Sequence, residues 1–270
     1  MVLIRDRRVP LLPNLITTGS IFAGFYSIIH SIHYDFRRAA WALVVAGVCD
    51  LLDGRIARLT KSQSEFGVQY DSLSDLCSFG FAPALLAYFW ALERFGRLGW
   101  AVSFLYLVCA ALRLARFNIQ GSTEEKEYFQ GIPSPGAAGV IIASVLFHQE
   151  IGTGGRLELM PARMVFLFVT FITALLMVSG VRYRTFKSIN IRGVRPFQML
   201  VLGALILFLV MISPEFAIFI CGYTYLASGI IETVFFLRKG VREVLESDED
   251  DEGKSTGTGA DDGKVTLLPS

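Results

Sequence analysis

The stretch from Asp50 to Asp75, DLLDGRIARLTKSQSEFGVQYDSLSD, sets four aspartates between two segments that are apolar over membrane length. An ionised side chain at membrane depth is costly unless it lines a cavity or finds a partner, so such a cluster marks a working site. Asp50 and Asp53 are three residues apart, and Asp71 and Asp75 are four apart. Both spacings put the paired acids on one face of a helix. Two helices joined by the basic and polar run between them can therefore aim four carboxylates at one point.

Outward from that stretch, the chain reads as an all-α, polytopic membrane protein. It has 270 residues, 53% of them hydrophobic. Its apolar runs repeatedly approach the ~20 residues that cross a bilayer as helix. Eight spans are expected, near Ile16–Tyr34, Ala39–Ala57, Leu73–Leu92, Leu98–Phe117, Gly136–His148, Met164–Gly180, Gln198–Ile212 and Phe216–Leu237, the fifth being short. Lys and Arg gather in alternate connections, 17 on one side against 6 on the other. By the bias of positive residues toward the cytoplasm, this places both termini and the Asp50–Asp75 segment on the cytoplasmic side of a cell membrane.

The flanks differ from the membrane region. Residues 1–14 carry three arginines and two prolines, which suits a cytoplasmic juxtamembrane segment lying on the membrane surface. Residues 15–240 form one membrane domain, and the acidic, Gly/Ser/Thr-rich run 247–270 is expected to be disordered. A formal net charge of +1 gives no electrostatic footprint for nucleic acid. Cys49, Cys77, Cys109 and Cys221 are too scattered for a thiolate metal site or a disulfide framework. No cleavable leader is expected, because the first apolar run is long and lacks a small-residue cleavage pattern.

An all-oxygen acidic cluster suits hard divalent cations, and magnesium in phosphoryl-transfer sites takes a few carboxylates plus substrate phosphate oxygens. Gly54 and Ala57 leave the helix face beside the acids bare for a bulky ligand, Arg58 offers a fork of donors for phosphate, and Gly67 plays a similar part before the second acidic helix. Two other readings stand beside this one. The acids could be surface residues at helix ends paired with Arg55, Arg58 and Lys61, or they could form the ion path of a divalent cation transporter.

The full spacing, D-x2-D-G-x2-A-R-x8-G-x3-D-x3-D, is filled at every fixed position by Asp50, Asp53, Gly54, Ala57, Arg58, Gly67, Asp71 and Asp75. It resembles the signature of the CDP-alcohol phosphotransferase family. That resemblance implies two magnesium or manganese ions held by Asp50, Asp53, Asp71 and Asp75 on a CDP pyrophosphate, with Asp75 also the general base. It further implies that Gly54, Ala57, Arg58 and Ser64 hold the nucleotide and phosphates, and that the protein is a homodimer. Pro13-Asn14-Leu15-Ile16-Thr17 is similar to a segment that family members place near the nucleotide, which makes Asn14 and Thr17 further binding candidates. Asn14 could equally be a plain helix cap.

Ser78–Ala84, Leu112–Asn118 and Gly131–Gly136 resemble segments of the membrane-embedded phosphatidylserine synthases within that family. The resemblance implies CDP-diacylglycerol as donor, L-serine as acceptor, and membrane lipids as surroundings. Glycerol 3-phosphate, inositol or inositol phosphate remain alternative acceptors at this stage. Arg113 and Arg116, three apart at the end of the fourth span, and the nearby Asn118 are the candidates for orienting the acceptor, serine's carboxylate included. The two arginines could instead serve as positive-inside anchors or lipid-headgroup contacts.

Overall fold

The computed structural model describes residues 11–60, 64–120, 128–151, 155–180 and 211–229, with 182–184 and a few positions between 201 and 208. All lie in one compact unit, Met1–Gly229. The juxtamembrane residues 1–10, most of the expected Gln198–Ile212 span and the acidic tail fall outside the described residues.

The architecture is a helical bundle. Helix α1 spans Leu11–Ile32 and α2 spans Phe36–Leu59, joined by a tight reversal in which Tyr34 has φ 62° and Asp35 caps α2 by accepting the Arg38 N–H. Helix α3 (Glu65–Asp75) runs without a break through a π-helical turn, Leu76–Phe81, into α4 (Ala82–Ala87), a second π turn and a final 3-10 turn ending at Phe95. Then come α5 (Arg97–Gln120), α6 (Ser134–Glu150), α7 (Met160–Val178) and a helical stretch over 214–229. A three-residue antiparallel pairing joins Tyr128–Gln130 to Arg182–Arg184.

Among the described residues, four helices are long and apolar enough to cross a membrane: Leu11–Ile32, Glu65–Phe95, Arg97–Ile119 and Met160–Val178. The expected second span, α2, is 24 residues long but carries Asp50, Asp53 and four arginines, so its composition is set by the site. The expected fifth span, α6, has 17 residues and buries most of them inside the protein. Its uniform apolarity records a central position in the bundle.

Packing is inside-out relative to a water-soluble protein. Large apolar side chains such as Phe22, Phe104 and Phe168 face outward, whereas small ones, Ser20, Ser27, Ala39, Ala40 and Ala46, fill the α1–α2 seam. Where lipid replaces water, helices associate through close contact of small residues and hydrogen bonds rather than apolar burial. Gly24 shows the closeness: a Cβ there would lie 2.9 Å from Ser78 Oγ and 3.1 Å from Ser78 Cα. Serines staple α1 to α3 and the π turn after it, with Ser78 donating to the Ser20 carbonyl at 3.0 Å and Ser74 to the Thr17 carbonyl at 3.3 Å.

The π turn begins directly after Asp75 and includes a backbone repair. Pro83 has no N–H for the carbonyl four residues back, that of Phe79. The fully buried Tyr106 hydroxyl, from α5, donates to that oxygen at 3.2 Å. At the end of the bundle remote from the four aspartates, Arg37 bridges Glu150 and the buried Glu215, while Arg156 pairs with Glu93 and stacks on Tyr34. These ties fix the helices so that the other end can hold the acids.

Candidate metal and phosphoryl-transfer site

The α1–α2–α3 arrangement brings the four aspartates together. Carboxylate oxygens of Asp50, Asp53 and Asp71 lie within 4.8 Å of one another. Asp75, one helical turn beyond Asp71, comes within hydrogen-bonding reach of Asp50 and feels the charge of the other two. Asp75 is ten residues from the start of α3, about 15 Å along the axis, so the cluster lies well down the helix rather than at its mouth.

The surface ion-pair reading gains no support from Arg55 or Arg58, and Lys61 lies outside the described residues. Among the described residues neither Arg55 nor Arg58 forms an ion pair with the acids, and the Arg58 Nε donates to the Gly54 carbonyl on its own helix at 3.0 Å. Asp53 is buried, and Asp71 Oδ1 is buried with no hydrogen-bond partner among the described residues. Like charges this close repel strongly outside bulk water, and an acceptor-only oxygen left unpaired inside a protein costs ~1–3 kcal/mol. A convergent, all-oxygen, under-satisfied donor set of this kind fits divalent cations.

Residues of α1 orient the acids. Thr17, itself buried, donates to Asp53 Oδ2 at 2.6 Å, with the Pro13 carbonyl also within 3.1 Å of its hydroxyl. Thr17 therefore acts on the site through Asp53. Asn14 lies inside the first turns of α1, not at a cap, because the helix already begins at Leu11. Its Nδ2 is buried without a partner among the described residues, and its Oδ1 is 3.6 Å from where a Gly67 Cβ would stand. Ser64 caps α3, its hydroxyl oxygen accepting the Gly67 N–H at 3.0 Å. A Gly67 Cβ would crowd that oxygen at 3.2 Å.

The two small residues of α2 have a different reason. Nothing among the described residues lies within 4 Å of a Cβ added at Gly54, so their packing does not require glycine there. Ala57, one turn on, is half-buried and Arg58 is exposed. The space beside the acids is open, as a ligand-facing surface needs.

The acceptor candidates separate in space. Arg113 is half-buried, close enough to Asp75 for charge interaction, and its Nη1 donates to Ser134 Oγ at 3.0 Å. Its Nε is buried and donates to nothing among the described residues. Arg116 is exposed, and Asn118 is engaged with Ser72 through paired contacts of 3.0 and 3.2 Å. Arg113 thus stands at the acids, while Asn118 ties α5 to α3 above them.

Sequence reasoning missed Ser134 as Arg113's partner, although it lies in the quoted Gly131–Gly136 run. It also missed Tyr225, which lies in charge range of Arg113. No local pattern marks a residue more than a hundred positions away. The hydrogen bond between Thr18 and Tyr70, 2.9 Å, is a further unforeseen link between α1 and α3.

Residues 10–177 match the family model described as CDP-alcohol phosphatidyltransferase. A CDP-diacylglycerol–serine O-phosphatidyltransferase of Helicobacter pylori (strain ATCC 700392 / 26695) is 40% identical over 231 residues, covering 85% of this chain and 93% of the relative. Proteins of the same name from Mycobacterium tuberculosis (strain ATCC 25618 / H37Rv) and Bacillus subtilis (strain 168) are 32% and 34% identical over 192 and 161 residues. Those matches cover 69% and 57% of this chain and 65% and 89% of the relatives. With the aspartate cluster inside the matched region, the chain belongs to the CDP-alcohol phosphatidyltransferase family.

Proposed function

We propose that this membrane protein transfers the phosphatidyl group of CDP-diacylglycerol to the hydroxyl of L-serine, giving phosphatidylserine and CMP. The observation that carries the reading is the convergence of Asp50, Asp53, Asp71 and Asp75 beside Arg113, in a chain matching serine-named relatives over most of its length.

The four aspartates would hold two divalent cations, magnesium or manganese, whose charge neutralises the pyrophosphate and the departing CMP. Asp75 accepts the proton of the serine hydroxyl, an alcohol too weakly acidic to attack unaided at neutral pH. The serine oxygen then bonds to the lipid-side phosphorus as the bond from that phosphorus to the bridging oxygen breaks. CMP leaves with the electron pair, and the proton passes from Asp75 to water. Gly54 and Ala57 let the nucleotide approach α2, Arg58 turns its fork to phosphate, and Asn14 and Gly67 line the nucleotide side. Thr17 holds Asp53, and Ser64 holds the start of α3. Arg113 receives the serine carboxylate, with Arg116 and Asn118 at the rim.

The same reading has the membrane domain running over 15–240 with eight spans, flanked by the 1–14 segment and the 247–270 tail. Both termini and the site face the cytoplasm, and the protein pairs as a homodimer. A membrane-level cavity suits one substrate with two acyl chains and another that is water-soluble.

The test is CMP release by purified full-length protein in liposomes holding CDP-diacylglycerol, with magnesium or manganese, comparing serine, inositol and glycerol 3-phosphate. Serine-dependent release supports the reading. Release driven by another alcohol overturns the serine assignment, and no release with any acceptor overturns the transferase reading.

A further inference from the structure

We infer that Tyr225, reaching in from the 214–229 helix, is a specificity-determining positioning residue: with Ser134 it sets the Arg113 guanidinium to receive the acceptor's carboxylate beside Asp75. The inference rests on the transferase reading above and adds a residue to its acceptor pocket. Three observations converge on it.

The first is the fixed prong of the fork. Arg113 Nη1 donates to Ser134 Oγ at 3.0 Å, and Ser134, at the start of α6, has no exposed surface. The second is the approach of Tyr225. Its phenol, on a third helix, lies within charge range of the guanidinium, and the absent side chain of Gly136 admits its ring: a Cβ at Gly136 would lie 2.8 Å from Tyr225 Cε1. The third is the unmet donor. Arg113 Nε is enclosed and donates to nothing among the described residues, while the same guanidinium feels Asp75.

A guanidinium binds a carboxylate best through two parallel N–H donors. With Nη1 committed to Ser134, the remaining two-donor edge is the one that includes Nε. A carboxylate on that edge would satisfy the unmet donor. It would also place the rest of a small hydroxy amino acid toward Asp75, which must take the hydroxyl proton. Ser134 holds the guanidinium by a hydrogen bond, and the Tyr225 phenol, within charge range of it, biases that edge toward Asp75. The ligand class is a small molecule with both a hydroxyl and a carboxylate.

The test uses full-length protein in CDP-diacylglycerol liposomes and compares kcat/KM for L-serine with that for L-serinamide, which keeps the hydroxyl but lacks the carboxylate. Tyr225→Phe removes the phenol oxygen. Gly136→Ala leaves Tyr225 intact but drives its ring aside. Both should lower the serine-over-serinamide ratio by about fivefold, the scale of one lost polar contact. A ratio unmoved in both variants, or serine and serinamide rates falling by the same factor, would overturn the role. Should Tyr225→Phe fail to fold, Gly136→Ala alone decides by the same ratio. A wild-type protein that releases no CMP with serine overturns the underlying transferase reading instead, so the two failures are distinguishable.

Discussion

Adding one methyl group at either of two glycines should have opposite effects on stability. Gly54→Ala places a Cβ where no atom of the described residues lies within 4 Å. Alanine in a helix interior is favoured over glycine by ~1 kcal/mol, and for a chain of this size that is a rise in Tm of about 2–4 °C. Gly24→Ala places its Cβ 2.9 Å from Ser78 Oγ and 3.1 Å from the Ser78 backbone, where α1 meets the π turn. Overpacking of that kind costs ~1–3 kcal/mol and should lower Tm by several degrees. Activity should separate from stability at Gly54, because the empty space there is where nucleotide and phosphate approach. Loss of one or two phosphate contacts, about 1.5–3 kcal/mol, is roughly a ten- to hundredfold fall in kcat/KM for CDP-diacylglycerol. The assay pairs thermal unfolding in detergent with CMP release at varied CDP-diacylglycerol. A Gly54→Ala protein more stable than wild type with an unchanged KM and kcat for the lipid would refute the reasoning, as would one that is less stable.

Thr17→Val keeps the shape but removes the donor to Asp53, and should raise the metal concentration for half-maximal activity by about 10–100-fold, with Thr17→Ser restoring it; titrating manganese against CMP release measures this. Asp75→Asn should retain CDP-lipid and metal binding better than turnover, which equilibrium binding beside single-turnover kinetics would check; near-normal turnover removes Asp75 as base. Arg113→Ala should raise the serine requirement by about tenfold or more while largely sparing CDP-diacylglycerol, read from the two KM values. Tyr106→Phe should cost ~1–3 kcal/mol of stability by stranding the Phe79 carbonyl beside Pro83, seen as a lower Tm with chemistry retained.

The aspartates were legible in the sequence because a helix turns local spacing into geometry: residues three or four apart share a face whatever surrounds them. Ser64, expected at the nucleotide and phosphates, also caps α3, a role that only the structure brings out. What joins the two acidic pairs to the rest was not legible, since Thr17 meets Asp53 across 36 positions and Arg113 meets Ser134 across 21. Hydropathy gives α6 the same signal as a lipid-facing span, because a helix buried in protein and one buried in lipid are apolar for the same reason. In α2 the acids and arginines of the site lie within an expected span and lower its mean hydropathy. For Asn14 a cap and a nucleotide contact were both open in the sequence, and the structure places it within the helix Leu11–Ile32.

Incorporation of isotopically labelled L-serine into lipid, followed together with CMP release in the same liposomes, tests the central claim most directly. The account predicts labelled phosphatidylserine in equal amount to CMP, lost on chelation, restored by manganese, and absent in Asp71→Asn. CMP release without labelled lipid, or labelling that survives both chelation and the loss of Asp71, would contradict it.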